Sequence, residues 1–177
     1  KKIILLANKS EGKQDLDYKA LYKLGFGDPI FIAAEHNLGF SNIGDAIALA
    51  SKDIEPKATV EEENTETQAL RLCIVGRPNV GKSTIFNKLL GFERVITSDI
   101  SGTTRDAISH TLEVDGKTIE LVDTAGLRKK ARINEEVESL SSAETINAIR
   151  RSHVVAIAID ASQALEKQDL TIANVAI

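Results

Sequence analysis

The chain contains no methionine, no tryptophan, one cysteine and three prolines in 177 residues. One cysteine excludes an intrachain disulfide and suits a reducing compartment such as the cytoplasm. Cys73 lies inside an apolar run, where it reads as a small core residue. The longest apolar run, VVAIAI at 154–159, is far short of the ~20 residues that cross a bilayer and reads as a buried strand. A formal charge of −4 gives no reason to expect non-specific binding to nucleic acid or a membrane surface. The three histidines, at 36, 110 and 153, are too scattered for a metal site or a catalytic triad. The chain opens in mid-strand (KKIILLANK), closes in a helical pattern (DLTIANVAI) and lacks a start methionine. The expectation is therefore a piece of a longer protein.

What is present is an ordinary core-forming composition, 42% hydrophobic and 27% charged. Strand patterns occur in IILLAN, PIFIAA, LRLCIVG, AISHTLEV, KTIELVD and HVVAIAID. Helix-period stretches lie between them. Leu16, Ala20, Leu21 and Leu24 stop at Gly25, Ile85, Phe86, Leu89 and Leu90 stop at Gly91, and Ile43, Ile47 and Ala50 share a third face. Leu140, Ala143, Ile146 and Ile149 make a fourth. Strands alternating with helices predict an α/β fold, a mainly parallel sheet with helices on both faces. Asp115-Gly116 between two strand patterns predicts a hairpin and one antiparallel edge. KDIEPKATVEEENTETQA, residues 52–69, has no period and many glutamates, and reads as a flexible acidic linker.

GRPNVGKST follows the strand LRLCIVG and opens a helix, the context a phosphate loop needs. Gly76 and Gly81 let backbone N–H groups close on phosphates at a helix N-terminus. Lys82 reaches the outer phosphates and the Ser83 hydroxyl holds Mg²⁺. In ELVDTAGLRKK, Asp123 ends an apolar strand and can order a Mg²⁺-bound water, while the Gly126 N–H meets the γ-phosphate. SDISGTTRDAI supplies a loop threonine, Thr103 or Thr104, that completes the metal shell with triphosphate bound and lets go after hydrolysis. Upstream, Asn8-Lys9-Ser10-Glu11 is close to the Asn-Lys-x-Asp that reads guanine, yet it precedes the phosphate loop. An ATP-directed phosphate loop would leave those four residues unexplained.

These motifs resemble the Era-like GTPases and, most closely, the Der (EngA) family of double-GTPase ribosome assembly proteins. The resemblance rests on GRPNVGKST, SGTTRDAI, DTAGLRKKARI and VAIAIDAS…KQDLTIA, and upstream on NKSEG, LGFGDPIFIAAEHNLG and the acidic linker. It implies two consecutive GTPase domains. Residues 1–52 would be the C-terminal part of the first, 53–69 the linker, and 70–177 the N-terminal part of the second. The order of the motifs then follows, because the guanine motif belongs to the preceding domain. Together the pieces hold a six-stranded complement in permuted order. They are expected to dock into one hybrid domain, within a chain or in a domain-exchanged dimer. The alternatives are two separate incomplete domains and a naturally permuted GTPase.

The resemblance further implies Thr104 as the Mg²⁺ ligand and Asn79 as a K⁺ ligand whose ion offsets transition-state charge. Val80 and Thr84 belong to the same nucleotide loop. Leu127 stands where many GTPases place a water-positioning Gln, so slow turnover stimulated by K⁺ is expected. Glu138 is a weaker candidate to act through water, among Glu135, Glu136 and Glu138. Glu11 replaces the usual Asp and keeps an acceptor for guanine one methylene further out. AAEH at 33–36 resembles the family's guanine-oxygen loop, with the Ala34 backbone as its contact, Ala33 for Ser and, just beyond it, Asn37 for Gly. The basic run Arg128, Lys129, Lys130 and Arg132 reads as a solvated loop or as a contact to rRNA or a partner. The implied function is a GTP/GDP switch acting in assembly of the large ribosomal subunit. A nucleotide-dependent ribosome-binding module with negligible turnover is the alternative.

Overall fold

The computed structural model describes residues 1–11, 18–52, 54, 69–91, 96–100, 109–122 and 143–177. The linker lies almost wholly outside the described residues, as do Leu16 and Leu140. Seven strands form one sheet: β1 (Lys2–Asn8), β2 (Ile30–Phe31), β3 (Leu70–Gly76), β4 (Ile96–Ile100), β5 (Ser109–Val114), β6 (Lys117–Leu121) and β7 (Val154–Asp160). Their spatial order is β2-β1-β7-β3-β6-β5-β4. The helices are α1 (Tyr18–Tyr22), α2 (Phe40–Ser51), α3 (Lys82–Leu90), α4 (Ala143–Arg151) and α5 (Lys167–Ala176).

The fold is the expected α/β, mainly parallel arrangement, with one strand more than six. The addition is β4, which pairs antiparallel with β5 along the edge. The sequence pattern places SDI in the loop that carries Thr103 and Thr104, and pairing with β5 makes it strand instead. The Asp115-Gly116 turn closes the expected hairpin, with Val114 opposite Lys117 and both turn residues at positive φ. At the other edge PIFIAA yields a strand of only two residues. The chain turns after Phe31, and Ala33 forms an isolated bridge with Leu38.

The two stretches flanking the linker share this sheet within one chain. β1 runs parallel to β7 in register from Lys2–Val154 to Asn8–Asp160, and β7 continues into β3 with Gly76 opposite Ala158. All seven residues of β7 are buried, as expected of a central parallel strand covered on both faces. Alternation sorts the side chains. Ile4 and Leu6, Leu72 and Ile74, and Ala156 and Ala158 pack under α2 and α3. Leu5 and Ala7, Cys73 and Val75, and Val155, Ile157 and Ile159 pack under α1, α4 and α5. Each core thus mixes residues from both sides of the linker. At about 2 kcal/mol for each fully buried Leu or Ile, this burial holds β1 in place.

α3 and α4 cover opposite faces of the sheet, and successive strands are added on opposite sides of β3, with β6 on one and β7 on the other. The carboxyl ends of β3, β7 and β1 therefore flank the switch point of the sheet, the usual ligand position in open α/β sheets.

Candidate nucleotide site

The phosphate loop spans the end of β3 and the start of α3. Gly76 ends the strand so close to β7 that a Cβ there would lie 2.3 Å from the Ala158 carbonyl oxygen. Val80 turns inward and is buried, while Asn79 is exposed. Gly81, at φ +95°, precedes α3, whose first-turn N–H groups lack intrahelical partners and face the loop. Lys82 Nζ donates to the Arg77 carbonyl at 2.7 Å. Ser83 is half-buried in the first helical turn and Thr84 beside it is exposed.

The guanine motif arrives at the same place from β1. Asn8 is buried, 3% exposed. Its Nδ2 donates to the Val80 carbonyl at 2.8 Å, and its Oδ1 accepts the Ala34 N–H at 3.0 Å. One side chain therefore joins the phosphate loop to the loop after β2. The fit is close: a Cβ on Gly81 would sit 2.3 Å from Asn8 Nδ2. Lys9, at φ 61°, extends to Asp160 at the end of β7, with Nζ–Oδ2 at 2.8 Å. Ser10 turns back, its N–H and hydroxyl both donating to the Ile32 carbonyl. Glu11 is exposed in the turn after β1. Asn37, in the position usually held by Gly, adopts φ 59°, a conformation Asn tolerates better than most residues.

Asn8, Lys9, Ala34, Gly76, Asn79, Val80, Gly81, Lys82, Ser83 and Thr84 are therefore gathered at one end of the sheet, with Glu11 in the turn beyond β1. Thr103, Thr104, Asp123, Gly126, Leu127, the basic run and the three glutamates lie outside the described residues. Among the described residues no cluster of three His, Cys, Asp or Glu is placed to hold a metal ion. Ser83 stands in the helical turn after Lys82, half-buried, with a hydroxyl that suits a hard cation such as Mg²⁺.

Three acidic residues had no assigned role in the sequence. Burial alone would raise the Asp160 carboxyl. Hydrogen bonds from Lys9 and from the Ser162 hydroxyl and amide outweigh it and hold Asp160 below the usual carboxylate range. Further along, Arg77 Nε meets Asp169 Oδ1 at 2.8 Å and its Nη1 meets Glu166 Oε1 at 2.5 Å. Burial opposes the Arg77 charge, but these two carboxylates prevail and raise its pKa. The available signal was the acidic pattern around the KQDLTIA helix start, a common N-terminal feature that does not name a partner.

Among the described residues no helix is long and apolar enough to cross a membrane. Comparison with curated proteins finds GTPase Der of Bradyrhizobium sp. (strain BTAi1) 46% identical over 178 residues, covering 98% of this chain and 39% of that protein. GTPase Der of Rhodopseudomonas palustris (strain TIE-1) is 43% identical over 181 residues, and that of Nitrobacter winogradskyi 45% over 179, with the same coverage. The chain spans about two fifths of the length of these relatives. Residues 71–177 match the model of a family described as 50S ribosome-binding GTPase. With the phosphate loop at the head of the matched stretch, the chain belongs to the 50S ribosome-binding GTPase family.

Proposed function

We propose that this chain binds GTP and GDP in a composite site and hydrolyses GTP as a conformational switch. Residues 1–52 would supply the end of one GTPase domain and residues 70–177 most of the next. The observation that carries the reading is the Asn8 bridge, which ties the guanine motif to Val80 of the phosphate loop and to the Ala34 amide. In this reading Asn8, Lys9, Glu11 and the Ala34 loop read guanine, while Gly76 and Asn79–Thr84 hold the phosphates. Lys82 leaves the Arg77 carbonyl for the outer phosphates. Mg²⁺, when bound, would offset phosphate charge, held by Ser83 and Thr104 and by Asp123 through a bound water. Gly126 would sense the γ-phosphate, and Asn79, exposed on the loop, would hold K⁺. With Leu127 unable to orient water, intrinsic turnover is slow and K⁺-stimulated. The family description supports binding to the large ribosomal subunit, and we extend this to action during assembly of that subunit, in the cytoplasm.

The test is titration of fluorescent GDP and fluorescent ADP into this chain and into Asn8→Ala and Glu11→Ala variants, with phosphate release compared in K⁺ and Na⁺. Guanine preference in the parent, lost in Asn8→Ala, is the expected result. Equal binding of both nucleotides, unaffected by either variant, would sink the composite site. Equal phosphate release in the two salts would remove the K⁺ role alone.

A further inference from the structure

Arg77 is the first residue after the strand that leads into the phosphate loop, yet its side chain points away from a ligand role. It is 8% exposed and lies between two carboxylates at the start of α5. Asp169, 1% exposed, uses one oxygen for Arg77 Nε at 2.8 Å and the other to accept the Glu166 N–H at 3.0 Å. Glu166 in turn accepts the Asp169 N–H, completing a capping box. The guanidinium is therefore fastened to a helix end that is itself locked. Its Nη2 is buried without a hydrogen-bond partner among the described residues, and the grip comes from Nε and Nη1. The Arg77 carbonyl receives Lys82 Nζ. The residue whose side chain is clamped to α5 is thus the one whose backbone seats the phosphate-binding lysine. The opposite end of the same segment carries Asp160, which holds Lys9, and Ala161, whose N–H donates to the Asn8 carbonyl at 2.6 Å.

Resting on the GTP-binding reading above, we infer that Arg77 is a positioning residue. Clamped by Asp169 and Glu166, it holds the first turn of the phosphate loop against α5, so that the loop amides are prearranged for the β-phosphate and Lys82 starts its short move to the phosphates from a fixed carbonyl. The segment 160–169 then sets both halves of the nucleotide cradle, base side through Asp160 and phosphate side through Asp169. Preorganisation of this kind is worth most where charge must be met without rearrangement. It does not contact the base.

The experiment measures the affinity of fluorescent GDP and GMP for the parent, Arg77→Lys and Glu166→Gln. Arg77→Lys keeps the charge but not the fork geometry that meets two carboxylates. Glu166 is half exposed at its side chain, so its variant folds even if changes at Arg77 do not. A positioning role predicts that the GDP-over-GMP preference falls about tenfold in Arg77→Lys, the loss of roughly one charge-assisted hydrogen bond's worth of placement. It falls about threefold in Glu166→Gln, with GMP affinity within about twofold of the parent in both. An equal loss of GDP and GMP binding, or an unchanged ratio in both variants, overturns the inference. A parent that binds GDP no better than ADP fails at the function itself, a result separable from the first two.

Discussion

The two ends of the sheet are built from the same strands but held in different ways. At the amino ends, the loop before β7 stitches its neighbours mostly through backbone groups. Lys2 N–H donates to the His153 carbonyl, and His153 N–H donates to the Arg71 carbonyl. At the carboxyl ends the fastening is done by side chains reaching between loops, Asn8 to Val80 and Ala34, Lys9 to Asp160, and Arg77 to Asp169. Lys9 and Asn79, both non-glycine, sit there at φ 61°, a conformation that costs about 1–2 kcal/mol. Strain and buried polar wiring concentrate where loops must be held in one arrangement to meet a ligand. At the amino end positive φ occurs in the Asp115-Gly116 hairpin turn, where it serves strand pairing and meets no ligand.

The largest effect should come from Gly81→Ala. The added Cβ meets Asn8 Nδ2 at 2.3 Å at a backbone φ of +95°. Asn8 cannot retreat without giving up Val80 or Ala34. The combined cost is roughly 3 kcal/mol, or more than a hundredfold in nucleotide affinity. GDP titration checks it. Binding within about threefold of the parent would mean that the carboxyl end tolerates rearrangement, and the contrast between the ends would collapse.

Much of this was legible in local patterns. Alternation in IILLAN, LRLCIVG and HVVAIAID marks strands whose two faces feed the two cores. GRPNVGKS is a contiguous motif, and Asp115-Gly116 specifies its own hairpin. β4 was not legible, because its strand state depends on pairing with β5 and its sequence reads equally well as a switch loop. β2 was read too long, because the Ala33–Leu38 bridge and the Asn8–Ala34 bond draw the chain away from the sheet. The fasteners were invisible for a simpler reason. Arg77 and Asp169 are 92 residues apart and Lys9 and Asp160 are 151 apart, and no local period links such pairs. Asp123 and Gly126 rest on motif spacing alone, and the choice of Thr104 over Thr103 rests on the family resemblance.

A smaller change sharpens the comparison at the carboxyl end. Asp160→Asn keeps an acceptor for Ser162 but removes the charge facing Lys9. The Lys9 side chain is 38% exposed, so solvent screens the pair and the expected loss is about 1 kcal/mol or less. That loss should appear as a several-fold weaker GDP affinity with little change in melting temperature. In the parent, the lowered Asp160 pKa gives a stabilisation present above about pH 3.9 and lost as pH falls through the lower folded value. It is therefore constant at neutral pH. A fall in melting temperature with GDP binding intact would make the pair a structural tie like those at the amino end.

The amino end supplies the converse test. His153 Nδ1 accepts the Arg71 N–H at 3.0 Å, which requires the ring nitrogen to be unprotonated. Burial, then the charges of Arg71 and Lys1, push its pKa below the ordinary value. A histidine whose folded pKa is depressed stabilises the fold fully above its unfolded pKa, near 6.5, and loses that contribution as pH falls through the folded value. Melting temperature should therefore drop below about pH 6.5 more steeply in the parent than in His153→Gln, which has no ring to protonate. The informative quantity is the difference between the two curves, since His36 and His110 are common to both. GDP selectivity at pH 7.5 should be unchanged by the substitution, because the hydrogen bonds of His153 among the described residues go to Lys2 and Arg71, at the opposite end of the strands from Asn8 and Gly76. Parallel curves would show that the Arg71 bond does not depend on the ring's charge state. Altered selectivity would show that the two ends of the sheet are coupled.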